Sequence, residues 1–174
     1  MVRLLLAICF IPFSSIAAPT IQSLLAESEV IAPAVVMQQI EQQHKKSTIC
    51  GFGVEVEDQQ LVYKVSMIDL ATEQRSRFFV RASDGEVLEH TQERVVLDKI
   101  DQAHAVSMLQ DKHIAFSKLV AMARKNHQGF LLQAELDHDL SISYLELKLL
   151  NQSRKSIVAF DIEKLRPLPL LKWD

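Results

Sequence analysis

At 174 residues, 48% hydrophobic and 24% charged, the chain has the composition of one globular domain or two small ones. A formal net charge of -3 gives no electrostatic support for general binding to nucleic acid or anionic lipid. Aromatic residues make up 6%, so stacking platforms are not expected either.

The first element is a leader. Arg3 supplies a positive start, Leu4 to Ile16 is an apolar run broken by Pro12 and Ser14-Ser15, and small residues follow at Ala17 and Ala18. This pattern predicts a signal peptide over residues 1–17, too short to span a bilayer and cut after Ala17, with Ser15 and Ala17 as the small pair. Ile8 is too large for the residue before a lipoprotein cysteine at Cys9. Cleavage leaves 157 residues and a charge of -4, since Arg3 departs. The predicted location is the periplasm or outside the cell, with no stable membrane span. Cys50 then stands alone, so no internal disulfide can form. Its neighbours Ile49, Gly51 and Phe52 predict a buried, inert thiol.

Residues 18–32 are a short lead-in. Pro33 suits the first turn of a helix, and Val36, Met37, Ile40 and His44 follow at helical spacing. Phe52, Val54 and Val56 alternate with Gly53, Glu55 and Glu57, which predicts a strand. Leu61, Tyr63, Val65 and Met67, then Phe78, Val80 and Ala82, repeat that period of two. They predict an antiparallel hairpin with one buried face, closed by Ser83-Asp84-Gly85-Glu86. Thr91 to Gln110 lacks Gly and Pro and predicts a connecting helix over 91–110. Asp111 is the expected cap of a third helix, with Phe116, Leu119, Val120 and Ala123 on one side.

The pattern then repeats. Gly129-Phe130 looks like Gly51-Phe52, and alternation returns at Phe130, Leu132, Ala134 and Leu136, at Leu145, Leu147 and Leu149, and at Val158, Phe160 and Ile162. Two units of helix and three strands, over 33–90 and 111–174, form an internal repeat of roughly 80 residues. The Pro-rich tail from Pro167 to Asp174 cannot continue a central strand. The expected fold class is α+β, with each unit a helix packed on its own three-stranded antiparallel sheet.

This unit resembles the PepSY domain on Tyr63, Val65, Val80, Ala82, Gly85, Glu86, Val87 and Leu88, and again on Tyr144, Phe160, Asp161, Ile162 and Leu168. The departures are complementary. The family's aspartate is Arg81 in the first unit and Asp161 in the second, and its glycine is Gly85 in the first and Leu165 in the second. Tyr144 is one position out of register with the leucine face. The resemblance implies a non-catalytic exported protein that restrains a peptidase, as a protease inhibitor would, or engages an envelope sensor such as a sensor kinase.

The residues themselves name no reaction. No two of His44, His90, His104, His113, His127 and His138 lie three or four apart, and a lone thiol excludes a thiolate-rich zinc site. No catalytic residue, metal ligand or cofactor is assigned, and a hydrolase lacks its constellation. Asp137-His138-Asp139 reads as a solvated turn. Arg75, Arg77 and Arg81 line the outward side of one strand, with Glu55 and Glu57 on another. Together with Trp173 of the tail they are the candidate partner-binding residues. The first functional expectation is protein binding, by an added strand, the arginine row or the tail. The alternative is a periplasmic small-ligand or metal-responsive protein with its pocket between the two units.

Overall fold

A computed structural model describes residues 20–27, 29–97, 101–152 and 154–169. The leader expected over 1–17, and Trp173, lie outside them.

The strands β1 (Thr48–Glu57), β2 (Gln60–Asp69) and β3 (Gln74–Arg81) arise where the period of two predicts them. Their inward residues Phe52, Val54, Leu61, Tyr63, Val65, Phe78 and Val80 are buried. Gly85 closes the turn after β3 with φ of +79°, the left-handed region where a side chain would be strained. The second set is β5 (Phe130–Asp139), β6 (Ile142–Asn151) and β7 (Arg154–Asp161). A shift of 82 residues carries Thr48 onto Phe130 and Gln60 onto Ile142, and the burial patterns of β1 and β5 are identical. The repeat therefore exists, but Gly129-Phe130 does not correspond to Gly51-Phe52. A bulge at Cys50 and its copy at Leu132 reset the alternation, so Leu131, Ala134 and Leu136 share the inward face and Phe130 does not.

Among the described residues four helices accompany the strands: α1 (Ile21–Glu27), α2 (Pro33–Gln43), α3 (Asp101–Asp111) and α4 (Phe116–Arg124). Pro33 begins α2, and Val36, Met37 and Ile40 are its buried stripe. Phe116, Leu119, Val120 and Ala123 are buried on α4. Asp111 ends α3 instead of capping α4, whose N-cap is Ala115.

The expectation of two separate sheets is overturned. All eight strands of the described residues form one antiparallel sheet in the order β4-β3-β2-β1-β5-β6-β7-β8, where β4 is Val87–Arg94 and β8 is Arg166–Leu168. The halves join where Gly51, Phe52 and Gly53 of β1 pair with Glu135, Ala134 and Gln133 of β5. The physical reason is that β1 would otherwise leave an unpaired edge, and its copy carries the matching edge. One hydrophobic cluster runs through both halves, from Val36 and Tyr63 to Leu145 and Phe160, so the units share a core.

The helix expected over 91–110 is also corrected. Residues 91–94 belong to β4, which pairs along β3 with His90 opposite Phe78, and α3 begins only at Asp101. Every residue of β4 is exposed, as befits an edge strand. Pro167 sits in β8 at the opposite edge, where its missing donor costs no ladder bond.

Candidate functional site

Pairing fixes which side chains share the side of the sheet turned away from the core. Opposed residues lie on one side, so Lys64 goes with Gly53 and Phe79, and Glu135 goes with Gly51 and Glu146. The outward row runs from Arg77, Phe79 and Arg81 on β3, through Lys64 and Glu55, to Gln133, Glu135, Tyr144, Glu146 and Lys148. Each of these is half-buried, where the alternating inward residues are fully buried. The sheet is thus dry on one side, while the other is open only in part, because Val62, opposite Arg81 and Glu55, and Ile68, opposite Arg75, are buried on it.

The candidate arginines lie on this open side, but each is engaged within the chain. Arg75 Nη2 donates to Gln102 Oε1 at 2.8 Å, and its Nε is buried with no hydrogen-bond partner among the described residues. Arg77 pairs with Glu93 at 2.7 Å. Arg81 pairs with Asp84 and Glu86. The expected opposition of the arginines to Glu55 and Glu57 is replaced by these contacts, and Glu55 pairs with Lys64 at 3.2 Å. The backbone N–H of Glu86, and then Arg81, hold the Asp84 carboxyl below its ordinary range. Such exposed pairs add little stability.

At the seam of the two halves the open side sinks into a hollow of about 300 Å³, lined by Gly51, Gly53, Ser66, Lys64, Glu55, Leu132, Gln133 and Glu135 among others. A relay borders it. Gln102 Nε2 donates to Glu135 Oε1 at 2.9 Å, Gln133 Nε2 donates to Glu135 Oε2 at 2.8 Å, and Gln102 accepts from Arg75. Cys50, at the bulge beside Gly51, is buried, and its thiol donates to the Ser66 carbonyl at 3.4 Å. Burial pushes that thiol up to about 12, against the smaller pull of Arg75.

The tyrosines that carried the family resemblance part company. Tyr63 is buried, and its hydroxyl donates to the Ile31 carbonyl at 2.7 Å, fastening the segment before α2 to the sheet. Burial raises its pKa to about 12. Tyr144 faces outward and donates to Asp137 Oδ2 at 2.9 Å. Leu165 matches Gly85 in conformation, with φ of +51°.

Histidine contacts also escape sequence spacing. His44 and His90 both lie against Phe78, and His104 stacks on His138 at 4.7 Å. His138 is not a solvated turn residue, because its Nδ1 meets the buried Ser143 hydroxyl at 2.8 Å. Among the described residues no three His, Cys, Asp or Glu side chains gather into a metal-binding group, and no helix is long and apolar enough to cross a membrane.

No family model and no curated protein matches this chain. A solved structure similar to it is that of a proposed lipoprotein of Clostridium difficile 630, with 17% identity, covering 83% of this chain and 95% of that chain, at a TM-score of 0.47.

Proposed function

We propose that the chain is an exported, non-catalytic protein-binding module that docks its partner on the open side of the eight-stranded sheet. One observation carries the reading: a continuous sheet with one side sealed on the core and the other presenting half-exposed Arg77, Phe79, Lys64, Glu135 and Tyr144. Rows of aromatic and charged residues on a rigid sheet supply anchors and orientation for a partner surface. Their internal ion pairs fix these side chains beforehand, which lowers the ordering cost of association. Export rests on the leader pattern of residues 1–17. A peptidase or an envelope sensor is the partner class implied by the PepSY resemblance.

The test is site-specific photo-crosslinking of the full chain in envelope extract. A crosslinker at Phe79 should give one discrete protein adduct, and one at Lys118, exposed on α4, should not. Equal labelling from both positions, or none from Phe79, would refute the reading.

A further inference from the structure

The sheet ends in two unlike edges. At one, β8 offers three residues, and Pro167 lacks a backbone donor. At the other, β4 runs for eight residues, all exposed, with no proline and no lysine, the residues that commonly blunt an edge. Two of its charges are spent within the sheet, Glu93 on Arg77 and Arg94 on Glu73. The ladder to β3 fixes what this edge presents. The Val95 N–H donates to the Glu73 carbonyl at 2.9 Å. Ladder bonds fall on alternate residues of an antiparallel pair, so Val95, Glu93, Thr91 and Glu89 bond to β3. The N–H and C=O groups of His90, Gln92 and Arg94 therefore point out of the edge, where water or another strand must satisfy them.

We infer that β4 is a self-pairing edge, joining antiparallel to β4 of a second copy about a two-fold axis at Gln92. Such an axis must pass where a residue meets its own copy, because only then do equivalent side chains stay on one side of the sheet. At Gln92 it sets Gln92 against itself and His90 against Arg94, which brings its Glu73 along, so every outward backbone group finds a partner. Thr91 then faces Glu93 of the second copy. Leu88 and Val96, 44% and 58% exposed, come together at both ends of the contact. The other axes are worse. An axis at Glu89, Glu93 or Arg94 opposes like charges at its centre, and one at Thr91 sets Glu89 against Glu93 twice. An axis at His90 sets Gln92 against the bulge at Leu88, which breaks the ladder. The contact involves strands alone, so the dimer is a weak, concentration-dependent one. The axis is perpendicular to the sheet and leaves the open side free, so this pairing is independent of docking there.

The experiment follows the chain from Ala18 by sedimentation velocity over a concentration series, and a reversible monomer–dimer equilibrium is expected. Gln92→Pro removes an N–H that points out of the edge and no ladder bond to β3. It should weaken association by about tenfold or more while the chain stays folded by circular dichroism. Gln92→Glu sets two carboxylates against each other at the axis and keeps an acceptor beside the Ser76 hydroxyl. It should have the same effect and serves where the proline variant does not fold. Under mild oxidation Gln92→Cys should form a disulfide-linked dimer faster than Thr91→Cys, with Cys50 kept out of the reaction by burial. A monomer at every concentration would overturn self-pairing and leave the edge to a strand of another protein. A dimer undiminished by both variants would move the interface off β4 and refute the inference. Faster crosslinking through Thr91→Cys would refute the axis at Gln92.

Discussion

The Glu41 carboxylate of α2 caps the first turn of α4 through Ser117, its Oε1 accepting the Ser117 N–H at 3.0 Å and its Oε2 the Ser117 hydroxyl at 2.6 Å. The two residues are 76 positions apart and belong to opposite halves of the repeat. Ala115, at the N-cap, makes no side-chain cap bond, so a carboxylate from another helix satisfies the orphan donor. Ser117 is buried, so its hydroxyl would be left without this acceptor. Glu41→Ala is expected to cost about 1–3 kcal/mol in urea unfolding. A double-mutant cycle with Ser117→Ala should return a coupling of at least about 0.5 kcal/mol. Strict additivity would show that the contact contributes nothing.

How much of this was legible depended on where each residue's partner lay. Tyr63, Val65, Phe78 and Val80 pack against near neighbours, so their period of two exposed the hairpin. Val36 and Ile40 on α2, and Leu119 and Ala123 on α4, announced themselves the same way. The strand β4 did not, because all eight of its residues are exposed and nothing in their order marks an inner side. The bulge at Leu132 moved Phe130 off the expected inward face, and no composition signals a bulge. The seam of the sheet rests on three residue pairs about 80 positions apart, with glycines on one strand and Gln133 and Glu135 on the other. Its one apolar pair, Phe52 with Ala134, already fits the alternation of each hairpin by itself and so marks no contact between them, which is why two sheets were expected where one exists. The hollow did leave a trace, since glycine recurs on β1 where its copy has long polar side chains. The arginine row was visible as a row, but Gln102 and Glu93 reach it only through the fold.

Cys50 should behave as a core atom. Its thiol is buried, bonded to the Ser66 carbonyl, and raised to about 12 mainly by burial. At pH 8 almost no thiolate forms in the folded chain. Ellman's reagent is expected to label the native protein only at its rate of opening and the urea-unfolded protein at once. Rapid labelling of native protein would place the thiol in solvent and remove the burial argument.

The β5–β6 hairpin can be improved. Leu140 and Ser141 occupy its two-residue turn with φ of +48° and +65°, matching Asp58 and Gln59 in the β1–β2 turn. Both turns need left-handed backbone at both positions, which favours Asn-Gly and strains a leucine. Leu140 is 87% exposed, so its side chain gives up almost no packing when replaced. The double substitution Leu140→Asn with Ser141→Gly should stabilise the protein by about 1–2 kcal/mol, read as a higher urea midpoint at unchanged slope. A midpoint that stays put would mean the turn carries no strain.

Stability should also fall on mild acidification through His44. Its ring sits 4.7 Å from Phe78 and 6.2 Å from the ring of His90, between the end of α2 and the sheet. Burial first, and the neighbouring His90 second, lower its pKa below the ordinary 6.5. The sign follows from which state takes the proton first. Above pH 6.5 neither the folded nor the unfolded chain is protonated at this site, and its contribution to stability is complete. Between 6.5 and the lower folded value the unfolded chain binds the proton more readily, so stability declines as pH falls. Urea midpoints measured at pH 8.0, 6.5 and 5.5 should therefore drop across the last interval. His44→Gln should make that drop shallower, because the variant no longer binds a proton there. An identical drop in both proteins would assign the acid sensitivity to other groups and detach His44 from it.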